Sequence, residues 1–292
     1  MEQIHNVVLA NDMANKDWQH GSLLFIGTAT TLLRYAGFTV LTDPNFLHQG
    51  EYVHLGYGLR GVRLTDPALE MDALPRLDCV VLSHMHEDHF DRGVARKLEK
   101  NVPIVTTPQA ATALRKQKFR FPYALNTWET LTLEKGQSHL HITAMPAQHA
   151  PGPLKGMLPP VMGSMLEFER TPGSTIFRLY ITGDTLMRKQ LQAIPQRYPE
   201  IDLALLHLGG TRLLGVLLTM DAKQGVEAIR LIQPHTAIPI HCNDYNVFHS
   251  SLAEFQRAVA AAGLEKRVHY IEHGEEYPFV IPESRLNYPQ GA

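Results

Sequence analysis

Cysteine is nearly missing from this chain: Cys79 and Cys242 are the two among 292 residues. That is no disulfide framework, and it agrees with a reducing compartment. Charge of one sign is lacking as well, since 27 Lys and Arg face 29 Asp and Glu for a formal charge of -2. Such a balance leaves no electrostatic footprint for nucleic-acid phosphates or an anionic membrane. A long hydrophobic run is also wanting. The most membrane-like stretch, 201–220, contains Asp202, His207, Arg212 and the Gly209–Gly210 pair, which are expensive in lipid, so it reads as a strand followed by an apolar loop. The opening residues carry Glu2 and neither a basic head nor a long apolar run, and read as neither signal peptide nor anchor. A cytoplasmic protein without stable membrane insertion is expected.

What is present is a globular chain. Apolar residues make up 44% and mean hydropathy is -0.15, enough for a substantial core. No low-complexity linker, charge block or composition change marks a boundary, so residues 1–292 are expected to form one domain. Short apolar runs predict strands at 22–27, 38–43, 79–84, 103–107, 128–133, 139–145, 164–169, 176–184, 203–208 and 236–241. Two helices stand out between and after them. Ser251 and Glu254 have capping-box spacing ahead of Leu252, Phe255 and Val259, with Gly263 as the stop. Asp221 precedes a second helix that Pro234 ends. Strands connected by helices define an α/β architecture.

The chemistry concentrates in 80–91, VVLSHMHEDHFD, where a strand runs straight into His84, His86, Asp88 and His89. Imidazole and carboxylate are the donors that borderline divalent metals such as Zn²⁺ prefer. Three later apolar runs also end in a ligand-type residue: His149, Asp184 and His241. Individually each is weak evidence, but α/β folds assemble sites from the same end of several strands.

With these residues in view, the sequence resembles the metallo-β-lactamase superfamily, whose signature is H-x-H-x-D-H followed at long intervals by His, Asp and His. The resemblance covers roughly 23–272, and the strand-terminal Asp of the first motif corresponds to Asp43 in FTVLTDP. The stretches GTATTLLRYAGFTVLTDPNF and LPRLDCVVLSHMHEDHFD look closest to the branch of L-ascorbate-6-phosphate lactonases, RomA-like proteins and N-acylphosphatidylethanolamine phospholipase D relatives. The resemblance implies a four-layer αββα sandwich, two mixed sheets packed face to face with helices outside, and a site at one edge. His84, His86 and His149 would hold one metal, Asp88, His89 and His241 the other, and Asp184 would bridge them. Asp43 would orient imidazoles from behind. Two Zn²⁺ ions, with Mn²⁺ or Fe²⁺ as alternatives, would acidify a water so that a hydroxide nucleophile exists at neutral pH.

The expected activity is therefore metal-dependent hydrolysis of a small ester, lactone or phosphodiester, with Asp88 and Asp184 in catalytic roles. Relatives of this branch often have Pro where His207 stands, so the resemblance assigns it no role; because it ends a strand on the expected site side, it is read as a substrate contact or proton donor, against the alternative of a hydrogen-bonded core histidine. Asp244 and Tyr245, just past His241, are candidate substrate contacts with an ordinary loop as the alternative, while His139 and His141 read as the polar face of a strand. Specificity is assigned to the segments 46–60, 150–163 and 211–220, where Leu154, Met157, Leu158, Val161, Met162, Leu213, Leu214 and Leu217 suit a substrate with an apolar or acyl part. The competing readings are a mono-iron oxidoreductase resembling sulfur dioxygenases and a non-catalytic metal-binding protein. The flavin-linked di-iron relatives resemble H-x-E-x-D-H, and this chain has His86 at that position. The partner is expected to be a small molecule, not nucleic acid, and a homo-oligomer is left open.

Overall fold

The computed structural model describes residues 4–10, 16–56, 60–152, 156, 158–171 and 173–286. In chain order the first strands are β1 (Ile4–Val8), β2 (His20–Gly27), β3 (Thr30–Tyr35), β4 (Phe38–Thr42), β5 (Tyr52–His54), β6 (Arg60–Val62), β7 (Cys79–Val81), β8 (Ile104–Thr106) and β9 (Pro122–Ala124). They continue with β10 (Thr130–Lys135), β11 (Ser138–Met145), β12 (Gly163–Glu169), β13 (Thr175–Ile181), β14 (Leu203–His207), β15 (Arg212–Leu213), β16 (Val216–Leu217), β17 (Thr236–Ile240) and β18 (Glu276–Val280). The principal helices are α1 (Arg92–Lys97), α2 (Pro108–Lys116), α3 (Ala193–Arg197), α4 (Ala222–Ile232) and α5 (Leu252–Ala262).

Two seven-stranded sheets carry the fold, ordered β18-β2-β3-β4-β7-β8-β9 and β1-β10-β11-β12-β13-β14-β17. Each is mixed. In the first, β4, β7, β8 and β9 run parallel, and in the second β13, β14 and β17 do. Strand β14, LALLH, shows why: it is buried at all five positions, the continuous apolar pattern of a strand covered on both faces. Its Leu203 and Leu205 enter the core between the sheets with Leu33, Val40, Leu140 and Ile238. Its Ala204 and Leu206 face the other way, toward Val226 and Ile229 of α4 and Phe255 and Val259 of α5. On the far side, Val94 of α1 and Ala110 and Leu114 of α2 cover Leu41, Val80 and Ile104. The layers are thus helix, sheet, sheet, helix, as the resemblance implies.

Both predicted helices are present with their caps. The Ser251 side chain accepts from the Glu254 N–H in a complete capping box, and Gly263 closes the helix at φ 67°. Asp221 caps α4 by accepting from the Gln224 N–H. Strand β3 was not read from the sequence, nor were β1, β9, β18 and the hairpins β5–β6 and β15–β16. The apolar loop expected after β14 contains that last hairpin. Among the described residues no helix is long and apolar enough to cross a membrane.

Candidate metal centre

The parallel strands bring their C-terminal ends to one edge, and the chain leaves each of them with a polar residue. Asp43 follows β4, the 84–89 loop follows β7, Asp184 follows β13, His207 ends β14 and His241 follows β17. Leaving a strand abruptly demands unusual backbone: Asp43 and His241 have φ of 35° and 60°, and Gly183 has 60°. A Cβ on Gly183 would lie 2.5 Å from the Met162 carbonyl oxygen, so only glycine lets the chain turn toward Asp184 there.

Ligand-type atoms converge in three groups, each with its atoms within 4.8 Å of one another. His84, His86 and His149 form one, Asp88, His89, Asp184 and His241 a second, and Asp43, His89 and His207 stand behind the second as a third. In the first, His86 Nδ1 lies 2.9 Å from His84 Nε2 and 3.3 Å from His149 Nε2. In the second, His89 Nε2 is 3.2 Å from Asp184 Oδ2, and His241 Nε2 is 3.4 Å from Asp88 Oδ2. Asp184 spans both, with Oδ2 at 3.8 Å from His149 Nε2 and 4.0 Å from His84 Nε2, and Oδ1 at 3.7 Å from His241 Nε2. Every ligand candidate of the sequence analysis is therefore at this edge.

The opposite edges of the rings explain their aim. His149 Nδ1 donates to the Leu218 carbonyl and His241 Nδ1 to the Leu208 carbonyl, both at 3.0 Å. A proton committed to a carbonyl leaves Nε2 with its lone pair facing the centre. His84 Nδ1 pairs with Ser83 Oγ at 3.0 Å. For His89 the partner is Asp43, with Oδ2 3.3 Å from Nδ1. Asp43 itself is fixed by the Ser83 N–H on Oδ1 at 2.7 Å and by His207 Nε2 on Oδ2 at 3.2 Å.

Electrostatics separate the first two groups. Burial, with crowding by neighbouring imidazoles, pushes His84 well below the usual histidine range and His86 down to about 3. Burial also lowers His149. These three stay neutral, the form in which imidazole binds metal. His89 goes the other way: burial is overridden by Asp184, Asp88 and Asp43, and it rises well above its ordinary value. Burial acts to raise Asp43, yet His89 and His207 bring it down to about 2. Burial likewise opposes ionisation of Asp184, but His241 and His89 hold it well below the carboxylate range.

The donor set fits a pair of divalent cations. Asp88 Oδ1, His89 Nε2, Asp184 Oδ1 and His241 Nε2 are buried without an aligned hydrogen-bond partner, and stranding four such atoms in one place costs several kcal/mol unless a ligand joins them. His84, His86 and His149 would hold one ion, Asp88, His89 and His241 the other, and Asp184 both. Over this edge Leu55, Leu158, Thr211 and Leu218 surround a cavity of about 20 Å³ that reaches His86, Asp88, His149 and Asp184, room for roughly one water.

Several expectations are corrected. His207 is 0% exposed, stacked 5.9 Å behind His89, with its ring committed to Asp43 and Thr182. It has no face toward an incoming substrate. Asp244 and Tyr245 are also buried and neither lines the cavity over the centre. His139 and His141 lie on the outer face of β11, as expected, and His141 Nε2 reaches Glu169 at 3.2 Å. Of the apolar residues assigned to specificity, Leu158 lines the cavity and Leu213 packs beside it. Met162 belongs to the inter-sheet core and Leu214 is 97% exposed at a hairpin tip, while Leu154 and Met157 lie outside the described residues. Leu55, Thr211 and Leu218 fall inside the segments 46–60 and 211–220 assigned to specificity, though Leu55 and Leu218 were not singled out there; Ser83 was missed. Ser83 adjoins the motif and was within reach of it, whereas Leu55 and Leu218 look like any loop leucine.

Residues 39–242 match the Beta-lactamase superfamily domain, and the chain belongs to the metallo-β-lactamase superfamily. Among curated relatives it is similar to a protein of Nanoarchaeum equitans named UPF0173 metal-dependent hydrolase, 26% identical over 69% of this chain and 86% of the relative. A protein of the same name from Methanopyrus kandleri is 29% identical over 68% and 81%. Among solved structures, the isothiocyanate hydrolase from Delia radicum gut bacteria aligns with TM-score 0.75 at 22% identity, covering 89% of this chain and 99% of that one. Igni18, a metallo hydrolase of Ignicoccus hospitalis, aligns with TM-score 0.65 at 23% identity over 89% and 98%. These structures establish the shared fold.

Proposed function

We propose that this chain is a dinuclear, zinc-loaded hydrolase of a small ester, lactone or phosphodiester carrying an apolar part. The observation that carries the reading is that four unpartnered buried ligand atoms, on Asp88, His89, His241 and Asp184, come together, and that Asp184 also reaches the three-histidine group. Curated relatives named metal-dependent hydrolases support it. When bound, such a pair of ions supplies an acidified water and a Lewis acid for the electrophile.

The protein's own part is placement and exclusion. The Leu218 and Leu208 carbonyls hold two imidazoles in one tautomer, so no reorientation is needed during reaction. Asp88 Oδ1, which has no donor, would complete the donor set of the second ion. Leu55, Leu158 and Leu218 keep bulk water out and leave room over the centre for about one water. His207 serves by steadying Asp43.

The test combines metal analysis with a substrate screen. Purified protein, stripped and reloaded with zinc, is assayed on lactones, phosphodiesters, thioesters and an isothiocyanate. Two zinc per chain and turnover of an ester, lactone or phosphodiester are expected, with Asp184→Ala folded but inactive. One iron per chain with oxygen uptake would replace this reading by the mono-iron oxidoreductase, and full turnover by Asp184→Ala would end the dinuclear one.

A further inference from the structure

Beneath the ligand loops lies a second buried polar cluster that none of the ligand roles uses. Arg63, just past β6, is 0% exposed, and a guanidinium is not left in a protein interior without partners. Its Nη1 donates to Asn45 Oδ1, its Nε donates to the Thr65 carbonyl at 3.0 Å, and its guanidinium carbon lies 5.4 Å over the Tyr245 ring. Asn45 Oδ1 also accepts from the Tyr245 hydroxyl at 3.0 Å. With its acceptor thus occupied, Asn45 turns its Nδ2 to the Glu87 carbonyl at 2.8 Å. That carbonyl sits between His86 and Asp88 in the ligand loop.

The other half of the cluster reaches the last ligand. Asp244, also 0% exposed, accepts on Oδ1 from the Thr65 hydroxyl at 2.5 Å and from His273 Nε2 at 3.0 Å. Its Oδ2 accepts from the Thr28 N–H at 3.0 Å. The same Thr28 peptide unit region then takes the His241 N–H on the Thr28 carbonyl at 2.6 Å. Thr28 and His241 stand at φ of 53° and 60°, a conformation costing about 1–2 kcal/mol per residue that persists only where the surroundings impose it. Thr65 joins the halves, its carbonyl bound to Arg63 and its hydroxyl to Asp244. His149 of the three-histidine group is braced elsewhere, by the Leu218 carbonyl, and His84 by Ser83 Oγ, which also lies 3.3 Å from His89 Nδ1.

We propose that Arg63, Asn45, Thr65 and Asp244 are positioning residues that set the placement of Asp88 and His241, and with it the affinity of the second metal site relative to the first. The inference rests on the dinuclear reading above. Residues standing behind ligands typically govern metal affinity by ten- to a hundredfold.

The test titrates Zn²⁺ alone into the metal-free full chain by calorimetry, for wild type, Asp244→Asn and the milder, nearly isosteric Thr65→Val. Wild type is expected to take two equivalents. In both variants the first should bind within about threefold of wild type and the second ten- to a hundredfold more weakly. Should Asp244→Asn fail to fold, Thr65→Val decides alone. An unchanged second equivalent overturns the proposal, as does equal weakening of both in step with a lowered melting temperature, the mark of a merely structural role. A wild-type chain that takes one equivalent instead overturns the dinuclear reading, and this inference falls with it.

Discussion

Replacing His207 by alanine separates a support role from contact with substrate. In the folded protein the His207 ring donates from Nε2 to an ionised Asp43 that is itself buried, and a hydrogen bond to a charged group is worth about 1.5–3 kcal/mol. The vacated volume behind His89 adds roughly 1–2 kcal/mol. The expected loss of stability is roughly 2.5–5 kcal/mol, a melting temperature lower by roughly 5–10 °C for a chain of this size. Asp43 keeps the Ser83 N–H and His89 but is free to rock, so the cation contacts of His89 slacken and zinc affinity falls about tenfold. Thermal melts and zinc titration of the variant measure both. His207→Gln, whose amide can donate to Asp43, should recover part of each. Unchanged melting and full zinc affinity with a drop in kcat would refute the reasoning and return His207 to the role of substrate contact.

Two further outcomes follow from particular contacts. Gly183→Ala must hold a side chain at φ 60° with its Cβ 2.5 Å from a backbone oxygen that cannot yield; a loss of roughly 2–4 kcal/mol with reduced zinc uptake is expected, whereas Gly50→Ala, with nothing within 4 Å, should cost only the backbone strain. At Glu169 burial would raise the carboxyl, but His141, the Gly173 N–H and Thr175 outweigh it and hold the group below its ordinary range. Its contribution is therefore present above the unfolded carboxylate value, near ~4.3, and is lost as pH falls through the folded one. Glu169→Gln should destabilise by about 1 kcal/mol at neutral pH, and the gap to wild type should close in chemical denaturation at acid pH; a gap that is constant with pH would refute this.

The ligands were legible because function is written there in residue types that a strand end seldom needs. His84, His86, Asp88 and His89 crowd one turn, and His149, Asp184 and His241 each close an apolar run, so composition and position point the same way. The caps of α4 and α5 were legible for a similar reason, since Asp221, Ser251, Glu254 and Gly263 act within a few residues of their own position. Strand β3 escaped because its residues, TTLLRY, are buried at five of six positions and carry no alternation to set them apart. His207 shows the limit more sharply. A strand-terminal histidine facing the site edge and one turned back onto Asp43 have the same local sequence, and the choice is made by Asp43, 164 positions away.

What orients the imidazoles is less visible still. The acceptors that fix His149 and His241 are the main-chain carbonyls of Leu218 and Leu208, groups every residue possesses, so no side-chain pattern announces them. The same holds for the Glu87 carbonyl beneath Asn45 and the Thr28 carbonyl beneath His241. The Leu208 and Leu218 acceptors are in place only once β14 has paired with β17 and the hairpin β15–β16 has folded over the edge, because these two carbonyls directly follow β14 and β16. The ligand list is therefore a property of the sequence, while the lone pairs that make it a metal centre are a property of the completed fold. A partly folded chain with all seven ligands would bind zinc loosely, with rings free to rotate, and the affinity gained on folding measures how much of the centre the backbone supplies.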